Sequence, residues 1–345
     1  MMLRTFAALL FGLCLALVSA ALELHFIDVG QGDAVLLRAP TGQNVLYDGG
    51  EAGSGTLAYL QRLGVEELDI VVASHHHADH IGGLPAVIRA YEPQYFVENG
   101  VPHTTRTYER LLDALESADT AIIEAEGQRI TLGDVVLQFL PNPGRPGWGH
   151  NDNSVGVIVE YGAFRASLMG DAEQQQWDWW LANHAGYLGR VHVHKASHHG
   201  SRNGDTAGGI AALSPGAVVI SCGPGNRYGH PHDEALALYR QADAEIYRTD
   251  QQGTIVVRAA PDGTYHIEPA RPGHPVETGD CVDINTANAE ALQQITHIGP
   301  QYAAQIIELR EQKPFRSVDE LTRVSGIGEG RLREIKAQGL ACVDR

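Results

Sequence analysis

Alternating apolar and polar positions make the first part of the chain strand-rich. Residues 22–39 and 43–50 alternate in this way around Gly-Asp and Asp-Gly dipeptides, which predicts two strands of a meander. Residues 56–65 have the spacing of a short helix, and 68–74 are typical of a buried strand. Helical spacing returns at 83–91. The pattern therefore indicates a mixture of strands and helices.

The same mixture continues to about residue 270. β-rich stretches alternate with interspersed helices, which predicts an α/β sandwich as the fold class. The predicted strand regions are 130–140, 153–171, 191–195, 216–223 and a closing hairpin over 253–270, and the predicted helices are 108–118 and 232–242.

A Pro- and Gly-rich stretch, ARPGHPVETGD, has the composition of a linker and precedes a helical tail. In this tail, residues 292–306 align with 321–335 at a shift of 29 positions. Each copy reads as helix, tight glycine turn, helix. The predicted organisation is an N-terminal segment 1–21, a body 22–269, a linker 270–280 and a tail 281–345.

The N-terminal segment has the pattern of a secretory signal peptide. It contains one basic residue, an apolar run from Phe6 to Val18 and a small-residue ending near Ala20 or Ala21. The alternative is an uncleaved membrane anchor, although the run is short for a span. We therefore expect a secreted or periplasmic protein that has no stable membrane insertion after signal cleavage.

Export affects the interpretation of the cysteines, because an oxidising compartment permits disulfides. Cys281 and Cys342 bracket the tail, and we predict that they pair and stabilise it by a few kcal/mol. The alternative is two free buried thiols. Cys222 is then the odd cysteine, either a small buried residue or a reactive thiol.

Charge is distributed unevenly along the chain. The formal net charge is −17, and residues 281–345, with nine acidic and eight basic side chains, account for only −1 of it. The acidic body disfavours loose attraction to nucleic acid. Binding of a polyanion would therefore need local groups, such as metal ions, backbone amides or a small basic face.

The densest chemical signal is SHHHADHIGGL at 74–84, directly after a predicted strand. His75 and His77 alternate, so both imidazoles can face one point, while Asp79 and His80 can face a second point nearby. Nitrogen and carboxylate ligands of this kind suit zinc and related divalent metals. The absence of cysteine from the cluster favours a catalytic site with open positions over a closed structural site.

The spacing H-x-H-x-D-H resembles the metal signature of the metallo-β-lactamase superfamily of hydrolases. Five further segments resemble the soluble domain of the ComEC competence protein family, and together they cover roughly residues 23–268. The chain looks like that hydrolase domain without the membrane channel of the whole ComEC protein. The resemblance implies a βαββαβ-type sandwich with two metals between its sheets. The segments are DVGQGDA (28–34), LYDGG (46–50), NDNSVGVIVEYGAFRASLMGD (151–171), KASHHGS (195–201) and NRYGHPH (226–232).

This resemblance implies a set of metal ligands. His75 and His77 would bind one metal ion. Asp79 and His80 would bind the other, and Asp171 would bridge both. The implied cofactors are two divalent ions, zinc in the first place and manganese as the alternative.

Four histidines are candidates for the remaining positions. By resemblance, His230 would complete the second metal. We expect His198 to be the other ligand, with His199 facing the phosphate or orienting a ligand, but either histidine of this pair can be the ligand. His150 is a further alternative, because many superfamily members place a histidine before the bridging aspartate.

Several polar residues are expected around the ligands. Asp48, Asn153 and Ser154 are predicted to orient the ligands rather than to bind metal. Asp28, Gln31 and Asp33 either line the site or simply form a turn.

The implied chemistry is hydrolysis. Two metal ions would lower the pKa of a shared water, supply hydroxide and neutralise charge on a phosphoryl oxygen. Asp79 or Asp171 would orient the hydroxide, and a histidine such as His199 would protonate the leaving oxygen. A lactam would be hydrolysed by similar chemistry, so the metal site alone does not identify the substrate.

The tail at 283–340 resembles the ComEA-type helix-hairpin-helix DNA-binding domain, including the N-T-A opening and the KPFRSVDEL spacer. In this fold, backbone N–H groups of the hairpin contact a DNA phosphate. The second turn, with Gly326 and Gly328, fits the pattern. The first turn has Gly299 but departs from the pattern at His297. Ionic contacts would come from Arg331, Arg333 and Lys336.

The sequence therefore predicts an exported dimetal phosphodiesterase that cleaves DNA, with the tail binding DNA independently of sequence. One alternative is a metallo-hydrolase of a small ester or lactam. Another is a non-enzymatic DNA-binding component of an uptake apparatus. The tail can also be a purely structural or protein-binding domain. Protein partners are not predicted.

Overall fold

The computed structural model describes residues 21–145, 147–271 and 282–343. The predicted signal peptide, apart from its last residue, lies outside these ranges. So do Cys281 and most of the predicted linker. Within the described residues, no helix has both the length and the apolar character needed to span a membrane.

Fifteen strands form the body within the described ranges. They are β1 Leu22–Phe26, β2 Val35–Arg38, β3 Asn44–Tyr47, β4 Ile70–Val72, β5 Tyr95–Glu98, β6 Ala121–Glu124, β7 Arg129–Leu132, β8 Val135–Phe139, β9 Val157–Tyr161, β10 Phe164–Leu168, β11 Val193–Lys195, β12 Ala217–Ile220, β13 Glu245–Arg248, β14 Ile255–Ala259 and β15 Tyr265–Pro269. The helices of the body are α1 Thr56–Arg62, α2 Ala78–Ile81, α3 Leu84–Tyr91, α4 Arg106–Ser117, α5 Gln174–Asn183, α6 Ala207–Leu213, α7 Asp233–Gln241 and α8 Thr249–Gln252.

The strands form two sheets of similar design. One has the order β15-β14-β1-β2-β3-β4-β5-β6, and the other has the order β13-β12-β11-β10-β9-β8-β7. In each sheet an antiparallel meander continues into parallel strands, β3 to β6 in the first and β10 to β13 in the second. The predicted α/β sandwich is therefore confirmed.

Successive side chains of a strand point to opposite faces of its sheet, so each sheet contributes to two apolar layers. One layer lies between the two sheets, and the other lies between a sheet and its outer helices. In β3, Val45 and Tyr47 point into the core between the sheets, whereas Leu46 points to the helices outside. On the far side of the second sheet, Trp177 and Trp180 of α5 are fully buried. The result is two face-to-face sheets covered by helices on both outer sides.

The tail is helical and has its own apolar core. Two short strands, β16 Val282–Asp283 and β17 Ala341–Cys342, pair in parallel and bring the two ends of the tail together. Cys342 is disulfide-bonded, but pairing with Cys281 stays a prediction because Cys281 lies outside the described ranges. The helices of the tail are α9 Ala289–Leu292, α10 Pro300–Gln312 and α11 Glu329–Gln338.

Cys222 follows β12 and is a free cysteine with no exposed surface. Burial, and then the charge of Asp250, raise the pKa of its thiol well above the ordinary value. Of the two interpretations of this cysteine, the structure therefore favours the small buried residue over the reactive thiol.

Candidate metal centre

The parallel halves of the two sheets direct their strand ends towards one place. Asp48 follows β3, and the histidine cluster that begins at His75 follows β4. In the second sheet, Asp171 follows β10, and the pair His198 and His199 follows β11. Because ligand sites in parallel sheets form at the carboxyl ends of strands, this is where a functional site is expected.

Four buried side chains form the compact centre of this place. One ligand atom from each of Asp33, His80, Asp171 and His199 lies within 4.8 Å of the others. His80 Nε2 and His199 Nε2 lie 3.2 and 3.4 Å from Asp171 Oδ2, and His199 Nδ1 lies 3.4 Å from Asp33 Oδ1. Two carboxylates and two imidazoles at this spacing are a donor set suited to divalent metals. We name these four residues the central cluster.

Other predicted ligands surround the central cluster. His75 Nε2 lies 4.0 Å from Asp171 Oδ2 and 2.9 Å from His77 Nδ1. Asp79 Oδ2 lies 3.4 Å from His199 Nε2. The structure thus brings the whole H-x-H-x-D-H segment to one side of Asp171.

The rings of His198 and His199 point in different directions. Both residues have left-handed backbone, with φ of 49° and 56°. His199 is buried in the central cluster, whereas the His198 side chain is 22% exposed and pairs with Glu173 at 2.9 Å. His198 Nε2 still lies 3.8 Å from Asp171 Oδ2, so both histidines of the pair border the site. Burial and distance favour His199 as the inner residue.

His230 and His150 lie beside different histidines of the candidate centre. The ring centre of His230 lies 5.5 Å from that of His198 and 6.0 Å from that of His199. The ring centre of His150 lies 5.7 Å from that of His77 and 4.1 Å from that of His103. His230 is thus beside the predicted inner pair, and His150 is near the first two histidines of the cluster.

The three predicted orienting residues contact the site or its loops. Asp48 Oδ2 lies 2.8 Å from His80 Nδ1, and its Oδ1 accepts a hydrogen bond from Ser74 N at 2.7 Å. Ser154 Oγ accepts from Asp171 N at 3.0 Å. The amide of Asn153 hydrogen-bonds the backbone at 145 and 149 and so shapes the neighbouring loop. The predicted orienting role of Asp48, Asn153 and Ser154 stays a prediction, and these contacts are those that such a role would use.

Lys195 is a site residue that the sequence reasoning missed. It lies fully buried at the end of β11, where its ammonium group donates hydrogen bonds to Asp33 Oδ2 and, at 3.1 Å, to Gly170 O. Burial opposes its charge, but Asp33 and Asp171 raise its pKa above the ordinary value. A lysine at the end of a short strand, three residues before the histidine pair, was the signal that would have identified it.

Electrostatics divides the histidines into two groups. Burial, and then the charge of a neighbouring histidine, lower the pKa of His77 to about 4 and that of His230 to about 3, and hold that of His75 well below its usual value. With these pKa values His77 and His230 are neutral near pH 7, the form in which an imidazole binds a metal ion. Burial also opposes the charged forms of His80 and His199, but Asp171 and further carboxylates outweigh it and raise their pKa.

The centre also contains unsatisfied polar atoms. Asp33 Oδ1, His80 Nε2, Asp171 Oδ1, His199 Nε2 and His230 Nδ1 are buried and have no hydrogen-bond partner among the described residues. Buried polar atoms are rarely left in this state without a functional reason. These open donor atoms belong to two carboxylates and to imidazoles that face one point. The residues present therefore fit a divalent metal.

The helix-hairpin-helix turns have the predicted glycine geometry. Gly299 and Gly328 immediately precede α10 and α11, and Gly326 has a φ of 98°. His297, at the position equivalent to Gly326, also adopts left-handed backbone with a φ of 64°, and its Nε2 lies 2.5 Å from Glu334 Oε2. The first hairpin thus keeps the turn despite the histidine.

The three basic residues after the second turn have different environments. Arg331 donates to Gly326 O at 3.0 Å, so it supports the hairpin. Lys336 pairs with Asp319 at 3.0 Å. Arg333 is exposed on α11.

A cavity of about 510 Å³ lies between the body and the tail. Its body side includes Arg227 and His230, and its tail side includes Arg333 and Lys336. The two parts also touch directly, since Val318 N donates to Asp233 Oδ2 at 3.2 Å. A histidine of the candidate centre and cations of the tail therefore border one space.

Replacing Gly32 with alanine is expected to destabilise the fold by about 1–3 kcal/mol. Alanine would have to adopt a strained backbone conformation, and its Cβ would overlap a neighbouring backbone atom. Gly32 has a φ of 130°, and an added Cβ would overlap the carbonyl oxygen of Asp79. Gly30→Ala is the matched control, since Gly30 also has positive φ but an added Cβ meets nothing within 4 Å. Urea unfolding should show the larger loss for Gly32→Ala, and equal losses would contradict the overlap.

Sequence comparisons identify two matching families. The family described as the metallo-beta-lactamase superfamily matches residues 27–223, and the helix-hairpin-helix motif matches residues 278–338. The first match covers more than half of the chain, and the second covers most of the tail.

Three curated relatives place these matches in context. ComE operon protein 3 of Bacillus subtilis is 28% identical over 288 residues, which cover 76% of this chain and 36% of that protein. Competence protein ComA of Neisseria gonorrhoeae is 28% identical over 238 residues, covering 66% and 31%. A protein named Deoxyribonuclease from Thioalkalivibrio sp. is 41% identical over 64 residues, covering 19% and 17%. The chain spans only about a third of the length of the two competence relatives.

Proposed function

The chain belongs to the metallo-beta-lactamase superfamily, and from this premise we propose that it is an exported, metal-dependent nuclease that hydrolyses phosphodiester bonds of DNA. The superfamily and the central cluster support metal-dependent hydrolysis. The helix-hairpin-helix motif supports DNA as the substrate, as do the similarity to competence proteins and the short match to a deoxyribonuclease.

The observation that carries this proposal is the shared cavity between body and tail. His230, which neighbours the central cluster, lines the same space as Arg333 and Lys336. A small ester or lactam would gain nothing from cations on a separate helix-hairpin-helix tail. A polyanion that reaches from the tail to the site would contact both.

We assign the metal-binding roles as the resemblance of the H-x-H-x-D-H segment to the superfamily signature implies. His75 and His77 would bind one divalent ion, and Asp79 and His80 the other, with Asp171 between them. Zinc is the first choice and manganese the alternative, because both accept nitrogen and carboxylate ligands.

His199, His230 and Asp33 complete the proposed site. His199 lies closer to Asp171 than His198 does and is the more buried, which favours His199 as the additional ligand. His230 would bind on the same side. Asp33, which is neutralised by Lys195, would orient His199 rather than act as a principal ligand.

Bound divalent ions would supply Lewis-acid stabilisation of the phosphoryl group and a water of lowered pKa. The protein's own groups would position the reactants. The carboxylate of Asp79 would accept a proton on an Oδ atom, and the partly exposed His198 would donate one from Nε2 to the leaving oxygen. Glu173, at 2.9 Å from His198 Nδ1, would fix the orientation of that ring.

The tail would hold DNA through its backbone. The amides around Gly326 and Gly328 would contact phosphate, as would those around His297 and Gly299. Arg333 is free to add an ionic contact, whereas Arg331 supports the turn. Such binding would be independent of sequence and sensitive to salt. The corresponding domain boundaries are a body at 22–269, a linker at 270–280 and a tail at 281–345.

Residues 22–345 are expected to cut linear DNA when Zn²⁺ or Mn²⁺ is supplied, and to lose this activity in EDTA, because the central cluster needs a cation. Gel electrophoresis of linear and circular DNA measures the cleavage, and cutting of circles would identify endonuclease action. Nitrocefin is the comparison substrate. Hydrolysis of nitrocefin without DNA cleavage under any metal condition would contradict the proposal and favour a small-substrate hydrolase.

A further inference from the structure

An exposed aromatic ring lies beside the candidate metal centre. Tyr228 is 46% exposed and is one of three large exposed apolar side chains among the described residues, the others being Leu112 and Ile122. Its ring centre lies 5.6 Å from that of His230, and the two planes differ by only 20°. The ring is therefore stacked on a side chain of the site while part of it faces solvent.

The loop that carries Tyr228 is held in place by one residue. The Asn226 side-chain oxygen accepts hydrogen bonds from the backbone N–H of Tyr228 at 3.2 Å and of His230 at 3.0 Å. Its side-chain nitrogen donates to the carbonyl oxygens of Gly223 at 3.0 Å and His230 at 2.7 Å. Because the loop is already ordered, less conformational entropy is lost when a ligand binds the Tyr228 ring.

A cation accompanies the ring. The Cζ atom of Arg227 lies 4.8 Å from the ring centre of Tyr228, and its Nη2 donates to the tyrosine hydroxyl at 2.6 Å. Arg227 is exposed. Because the guanidinium lies over the ring, a phosphate that binds Arg227 and draws it aside would uncover that face of Tyr228 for a flat base.

The position of this pair matches the path of a polynucleotide. Arg227 and His230 line the cavity of about 510 Å³ that also contains Arg333 of the tail. Tyr228 follows Arg227 in the chain, so a polynucleotide that extends from the tail through this cavity to Arg227 would have the Tyr228 ring beside it. An alternating series of bases and phosphates is the ligand that can use both side chains at once.

We propose that Arg227 and Tyr228 form a nucleotide subsite, in which a base stacks on the Tyr228 ring and the adjoining phosphate binds Arg227, next to the phosphodiester to be cleaved. The placement beside a cleaved bond rests on the proposed function. The stacking itself does not require catalysis and can be measured without metal.

The test uses residues 22–345 in EDTA with a single-stranded oligodeoxynucleotide that contains 2-aminopurine, whose fluorescence is quenched when it stacks. The wild type should quench the fluorescence, whereas Tyr228→Ala should lose the quenching and bind about tenfold more weakly, within the range for one base–aromatic stack. Tyr228→Phe keeps the ring and should retain the quenching. Leu112→Ala removes another exposed apolar side chain, on α4, and controls for a general surface effect.

A salt titration tests the phosphate contact. Arg227→Gln should reduce the slope of log affinity against log salt by about 0.7, the value for one phosphate of a single strand. In cleavage assays, Tyr228→Ala should raise KM for DNA more than it lowers kcat.

The outcomes separate the subsite from the nuclease function. Tyr228→Ala that quenches and binds like the wild type overturns the subsite, as does a wild type that binds without quenching. A wild type that quenches but cleaves no DNA with any metal supports the subsite and overturns the nuclease proposal.

Discussion

Replacing Asp171 with asparagine is expected to lower DNA cleavage about 10³-fold, comparable with the loss of one essential stabilising group in other enzymes. Asparagine has nearly the same size, so packing is kept while a negative charge is removed. That charge neighbours His80, His198 and His199. The change therefore acts on the charge that attracts a cation.

Asp171 is ionised over the whole useful pH range. Burial opposes its charge, but His199 and His80 hold the pKa of its carboxyl well below the usual value. The substitution should therefore have its full effect at any pH at which the enzyme is assayed. Metal content, measured by mass spectrometry after dialysis against Zn²⁺, should fall together with cleavage.

Asp69→Asn is the matched control for Asp171→Asn. Asp69 lies at the amino end of β4, where its side chain accepts a hydrogen bond from Asn44 N at 2.8 Å. The substitution Asp69→Asn removes one negative charge at the end of the strand that faces away from the candidate centre. It should leave DNA cleavage and metal content near wild type. If Asp171→Asn also behaves like wild type in both measurements, the assignment of the central cluster is wrong.

Replacing Lys195 with methionine is expected to destabilise the metal-free protein by about 3–5 kcal/mol, the usual cost of removing one partner from a buried ion pair. Lys195 and Asp33 are both fully buried, and the substitution leaves the Asp33 charge without its ammonium partner. Urea unfolding in EDTA measures the loss.

The double substitution Lys195→Met with Asp33→Asn is the control, because it removes both charges and should recover much of the stability. If the double variant is no more stable than Lys195→Met, the loss arises from packing instead of charge.

The effect of Lys195→Met should depend on pH. In the wild type, burial opposes the Asp33 charge, but Lys195 and the nearby histidines lower the pKa of Asp33 below its ordinary value. This pair therefore contributes stability above the ordinary carboxyl pKa, and the contribution is lost as pH falls through the lowered pKa. In the variant, Asp33 takes up a proton more easily, so the difference from wild type should shrink at acidic pH.

Local patterns in the sequence predicted the elements of the body well. The periodicity at 56–65 and 108–118 corresponds to α1 and α4, and the apolar run at 68–74 corresponds to β4. These elements follow from side-chain spacing over a few residues, which one sequence displays directly. The histidine cluster was equally visible, because its residues are contiguous.

Long-range contacts were beyond such reasoning. The sequence left Asp33 undecided between a turn former and a site residue, and Lys195 was not considered. The two residues are 162 positions apart, and only the packing of the two sheets brings them together. The orientation of His198 and His199 depends in the same way on tertiary contacts, since Asp205 fixes the preceding Ser197 N at 3.0 Å.

The buried thiol of Cys222 provides a chemical probe of local opening at the end of β12. Thiol reagents react with the thiolate, and both burial and the raised pKa suppress it while β12 and its neighbours stay packed. The rate at which a thiol reagent modifies Cys222 will therefore track how often this end of the sheet opens. Because Cys222 lies two residues beyond β12, near the loops of the candidate centre, metal binding that tightens those loops will register as slower labelling, without any substrate.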